Sequence, residues 1–139
     1  MIDLALLADH ALVDQQGKLS VIGIWRQVML GQFPGVHARA HLVLILRGGQ
    51  ADVGVHRVAF RLEQADGTVL MEHGGEIQLR EPPAGLSEVE APGIIVIDLP
   101  FQHPGEHAVV VQIDGREAAR LPITAVRAPA QPPVGGQLH

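Results

Sequence analysis

Cysteine is absent from the sequence, which excludes disulfide frameworks, thiolate metal sites and cysteine nucleophiles. Tyrosine is absent too, and one tryptophan and three phenylalanines are the only aromatic residues. So few flat rings argue against surfaces that stack bases or sugars. Lysine occurs once, and nine arginines are scattered along a chain of net charge −5. Phosphate recognition needs a basic stripe, so no nucleic-acid partner is expected. No segment approaches the roughly 20 consecutive apolar residues that span a bilayer. The opening "MIDLALLADHALVD" carries Asp3 where a signal peptide would be positive, and Asp9 and His10 interrupt its apolar run. The expectation is a cytoplasmic protein without membrane insertion, with a virion or an assembled extracellular structure as the alternative.

What the sequence does have is apolar content (47%) spread over 139 residues, enough for one domain with its own core. Short β-like runs are separated by turn chemistry: "QQGK", "GQFPGV", "GGQADVG", "ADGT", "HPGE" and "DGRE". Asp-Gly and Pro-Gly punctuation at this spacing signals antiparallel hairpins. In "VHRVAFRLE", Val58, Phe60 and Leu62 fall on one face, with Arg57, Arg61 and Glu63 on the other. His107, Val109, Val111 and Ile113 alternate in the same way. "HLVLILR" is apolar on both faces, as suits a central strand covered twice or covered by a partner. Pro122 within the last run removes a backbone donor and suits an edge. "LSVIGIWRQVML" reads as one run, and "PPAGLSEVEAPG" as a loose connection. "LALLADHALV" has near-helical spacing as well, but the turn and β-branched run that follow favour a strand. The pattern predicts an all-β antiparallel sandwich of seven to nine strands over residues 1–126. An extended Pro/Gly-rich tail is expected over 127–139.

Chemistry is sparse. Eight histidines invite a metal site, and His103 and His107 flank a Pro-Gly turn. A site needs several converging ligands, and no H-x-H motif supplies them. His103 therefore reads as a loop residue and His107 as a histidine at the core margin. The rival reading is a metal-dependent enzyme or metal-binding protein drawing on His10, His41, His56, His103 and His107. Two serines and two threonines lie outside any nucleophile elbow. The glycines of "RGGQADVG" lack the Lys-Ser/Thr of a phosphate loop. Glu88 and Glu90 share a face if extended, but read as solvated loop charge. Trp25 reads as a core anchor or, in the sharper alternative, a partner-binding residue.

"LADHALVDQQGKLSVIGIW", "QFPGVHARAHLVLIL", "FQHPGEHAVVVQIDG" and "LPITAV", in this order, resemble a widespread group of small uncharacterised bacterial proteins. Its pattern is an A-D-x-A start, a G-K-L-x-x-x-G-aromatic hairpin, an F-P loop, and a P-G-x-aromatic strand before a D-G turn. The resemblance extends to about Val126 and implies an immunoglobulin-like sandwich with no activity attached. His107 stands where the group has an aromatic residue.

Together these readings predict a non-catalytic binding or assembly module, not an enzyme. It is expected to self-associate or hold a protein partner, without a cofactor. Trp25, Arg26, Phe33, Pro132 and Pro133 are the candidate contact residues. A virion or filament subunit is a further alternative.

Overall fold

A computed structural model of the chain describes residues 1–129, and it is built from strands. In chain order they are β1 (Ile2–Val13), β2 (Leu19–Ile24), β3 (Gln27–Leu30), β4 (Gly35–Gly48), β5 (Gly54–Gln64), β6 (Val69–Leu79), β7 (Val89–Phe101), β8 (Gly105–Ile113) and β9 (Arg116–Arg127). A single 3-10 turn, Gln50–Asp52, bridges β4 and β5. The opening segment is thus a strand, and the helical alternative does not apply.

The strands form two sheets, ordered β2-β1-β4-β7 and β3-β9-β8-β5-β6. All neighbouring pairs are antiparallel except β3–β9. The β4–β7 pair facing a β9-β8-β5-β6 sheet reproduces the B–E and G-F-C-C′ arrangement of immunoglobulin-like sandwiches. The predicted fold class is what the chain adopts.

Alternation builds the core. Leu42, Leu44 and Leu46 of β4 face Val58, Phe60 and Leu62 of β5, with Leu99, Phe101, Val109, Val111 and Ile123 closing the layer. Burying each of these side chains contributes about 1.5–3 kcal/mol.

Two readings from the sequence need correction. "LSVIGIWRQVML" is not one strand: it changes sheets at Trp25–Arg26. The Trp25 N–H bonds Leu7 O at 3.0 Å in the first sheet, while Arg26 O accepts the Thr124 N–H at 2.9 Å in the second. Apolar residues on both sides of the break hide it from any alternation test. "PPAGLSEVEAPG" is loose only at its start, because β7 begins at Val89 and pairs Glu90 with Arg47 and Pro92 with Ile45. Pro92 is tolerated because β7 is an edge strand.

Pro122 follows the same rule. The Thr124 amide points toward β3, so Pro122, two residues earlier, turns its nitrogen to that side before β3 begins.

Gly23 is fixed by geometry. Its φ is +72°, and a Cβ there would collide with the Asp9 carboxylate lying over it.

Candidate functional site

The two outer surfaces of the sandwich differ in kind. On the five-stranded sheet, Arg57, Arg61 and Glu63 point outward from β5, as their alternation predicts. Arg61 and Arg120 both bond the Glu63 carboxylate, and Arg120 Nη2 lies 2.9 Å from Glu117 Oε1. The bond from Arg61, helped by Arg120, holds the Glu63 carboxyl below its ordinary range. Val110, the register partner of both arginines, is buried on this face. Long charged side chains cover it while keeping their heads in water.

The outer face of the four-stranded sheet carries no such cover. Registers place Leu6, Val43 and Ile94 in one row, and Ile24, Ala8, His41 and Val96 in the next. Ile22 is 64% exposed, Ile24 62%, Val96 49% and Leu12 45%. Charge appears only at the two ends. At one end Arg47 reaches Asp3 at 3.0 Å, Glu90 at 2.6 Å and Glu88 at 3.9 Å. Glu88 and Glu90 are thus ion-pair partners of Arg47 rather than free loop charge. At the other end the Asp98 carboxylate accepts the Arg39 N–H at 2.9 Å. Two histidines sit within the apolar area. His41, 5% exposed, donates from Nδ1 to Arg39 O at 2.9 Å, and the His10 ring meets it edge-on at 5.3 Å. An apolar centre with a charged rim is the anatomy of a protein interface.

The residues singled out in the sequence are dispersed. Trp25 is half-buried against the core, edge-on to His37 at 4.7 Å, and its indole N–H is buried without an acceptor. Burial pushes the His37 imidazole below its ordinary value, against the pull of Asp9. Arg26 is exposed. Phe33 packs on the core margin, with the Arg127 guanidinium 5.3 Å above its ring. Pro132 and Pro133 lie outside the described residues.

His103 is exposed, whereas His107 is buried, its ring edge-on to Phe101 at 4.9 Å. His107 donates from Nδ1 to Gly105 O at 2.9 Å, and its Nε2 has no partner. His56 is engaged by Asp114. Among the described residues no group of three or more histidines and carboxylates is placed to hold a metal ion. Nor is any helix there long and apolar enough to cross a membrane. The exposed isoleucines and valines were not singled out from the sequence. Their signal was the doubly apolar "HLVLILR", together with its neighbour "LALL".

Two solved structures bear a distant likeness. The alkylpurine DNA glycosylase AlkC of Pseudomonas fluorescens, bound to DNA containing an abasic site analog, shares 14% identity over 88% of this chain at a TM-score of 0.45. The chain spans only 30% of that protein. An immunoglobulin-like protein from Pseudomonas aeruginosa shares 13% identity over 89% of this chain and 94% of its own, at a TM-score of 0.36. No curated protein matches the chain. The model of a family of unknown function, DUF6941, matches residues 3–126, and the chain belongs to that family.

Proposed function

We propose that this protein is a non-catalytic binding and assembly module that self-associates through the outer face of its four-stranded sheet. The observation that carries this reading is the contrast between the two outer faces: one carries ion pairs around Glu63 beside its exposed Met29 and Val55, the other is apolar through its centre and framed by charge at its ends. Four strands at about 4.8 Å spacing, over roughly seven residues of about 3.3 Å each, give the apolar part about 450 Å². Within that footprint Ala8, Val43 and His41 are covered by their neighbours, and the accessible apolar surface is supplied by Leu12, Ile22, Ile24 and Val96 around them.

A second copy fits this surface in kind. A flat face of β-branched side chains packs on its own likeness at about 10 Å, as the layers of a sandwich do. A two-fold axis makes such a contact self-complementary and closed. Of the two arginines on the rim, Arg47 is already occupied by carboxylates, which leaves too few free cations for a phosphate backbone and favours a protein over a nucleic acid. The non-catalytic reading is supported by the dispersal of the histidines: among the described residues His37, His41, His56 and His107 are half-buried, buried or hydrogen-bonded at separate places in the fold.

Sedimentation equilibrium tests the proposal. The protein is expected to be dimeric at micromolar concentration, and the double substitution Ile22→Lys and Ile24→Lys to make it monomeric. A wild-type monomer at high micromolar concentration would sink it.

A further inference from the structure

Along one side of the sandwich the two sheets meet at Ile77 and Gly93 and leave a groove beside that contact. β6 and β7 are the end strands of their sheets, and between them runs this groove of about 670 Å³ that reaches the core residue Val58. A second hollow of about 380 Å³ continues it past Phe60 and Met71, sharing Gly75 and Ile95 with the first. Gly75 opens this groove. It lies opposite Val58, on the inward face of β6, with neither a positive φ nor a neighbour within 4 Å of where its Cβ would be. Neither packing nor backbone conformation requires a glycine there. A glycine inside a strand with no such reason marks a place where another backbone or a ligand approaches.

The four sheet edges are not equally protected. Edge strands template new pairing unless they are short, kinked or broken by proline. β3 has four residues, β2 has six with Gly23 at φ +72°, and β7 carries Pro92 and Pro100. β6 runs eleven residues with no proline or lysine. Among the described residues no strand pairs with its free side, and that side borders the groove.

We infer that the β6 edge and the adjoining groove bind an extended peptide segment by strand addition. The peptide's backbone pairs with β6, and its alternate apolar side chains enter the space between Gly75 and Ile95. Outward-facing Glu72 and Glu76 on β6 favour basic residues at the intervening positions. The groove shares Ile94 and Val96 of β7 with the margin of the apolar outer face, whereas Ile22 and Ile24 of that face lie at its far edge on β2, so substitutions at Gly75 and at Ile22 report on the two assignments separately.

The probe is a capped, fluorescently labelled nonapeptide of alternating valine and lysine, titrated into the full chain with polarisation as the readout. A matched peptide with every backbone amide N-methylated loses the backbone donors on both edges but keeps its charge and side chains. Saturable binding is expected, weakened at least about tenfold by N-methylation and equally by Gly75→Val, with slowed amide exchange confined to Val69–Leu79. The space at Gly75 allows the variant to fold, which its thermal midpoint checks; should it not, the N-methylated peptide alone decides. Absence of saturation at millimolar peptide, or equal binding of both peptides, overturns the inference. So does a dimer that survives Ile22→Lys but is lost with Gly75→Val, because a second copy would then occupy the edge.

Discussion

His56 and Asp114 form a closed clamp: Nδ1 of the imidazole lies 2.7 Å from the carboxylate Oδ2, while Nε2 lies 2.6 Å from Asp52 O. Both ring nitrogens face acceptors, so the doubly protonated ring fits best. The bond to Asp114, reinforced by Asp52 O, raises the His56 pKa, and the same bond, with that from the Arg57 N–H, lowers that of Asp114. The clamp joins the β8–β9 turn to the start of β5.

A pH window follows from those two directions. The His56 contribution is fully present below its unfolded value of about 6.5 and is lost as pH rises through the raised folded value. The Asp114 contribution is present above about 3.9 and is lost as pH falls through the depressed folded value. The stability difference between the protein and His56→Gln should therefore be largest at about pH 5 and shrink on either side. Thermal midpoints measured from about pH 3 to about pH 8.5 check this, and parallel curves would contradict it.

Gly23→Ala is expected to destabilise the fold by about 1–3 kcal/mol, because it adds an unfavourable left-handed conformation to a collision with Asp9. Urea unfolding measures the loss. Asp9→Ala in the same background should recover the steric part and leave the conformational part.

Inward and outward apolar residues should answer oppositely to substitution. Leu44 is fully buried, and Leu44→Ala should cost about 2–5 kcal/mol. Ile22 is apolar too but faces outward, so Ile22→Lys should change the stability of the isolated monomer by no more than about 0.5 kcal/mol. A large loss on Ile22→Lys in a dilute, monomeric sample would mean that the face is part of the fold's own core.

His107→Phe should raise stability. The imidazole is buried with Nε2 unpaired, a condition that costs about 1–3 kcal/mol. Phenylalanine keeps the edge-on packing against Phe101 and gives up one hydrogen bond, to Gly105 O. A net gain of about 1 kcal/mol in chemical denaturation is the expected outcome.

The hairpin punctuation made most of the fold legible. Asp66-Gly67 and Asp114-Gly115 mark the β5–β6 and β8–β9 turns, and Val58, Phe60 and Leu62 alternate into the core as read. What alternation could not show was a strand that changes sheets, because Ile24 and Val28 are equally apolar on either side of Trp25. The prolines of "PPAGLSEVEAPG" hid the start of β7 for a different reason, since an edge strand tolerates what a central one does not.

The candidate surface was legible only as a property of one strand. "HLVLILR" announced two apolar faces, but which neighbours extended the outer one depended on β1, β2 and β7 being brought beside it. Trp25 and Phe33, conspicuous in the sequence, lie partly against the core, the position that the core-anchor reading gave Trp25. Gly75 gave no signal at all, because its meaning depends on Val58 across the ladder and the missing neighbour beyond.

The sheet crossing at Trp25 also sets an order of events. Among the described residues β3 takes its one strand partner from β9, where Gln27 lies beside Thr124. A chain emerging from the ribosome can close the β1–β2 hairpin early, yet the four residues of β3 must wait for nearly the whole domain to be synthesised. Such late, distant closure makes folding slow and leaves unpaired segments open to wrong neighbours in the meantime. The final strand is thus the lock on β3, and shortening the chain before Thr124 should release those four residues while leaving the β1–β2 hairpin in place.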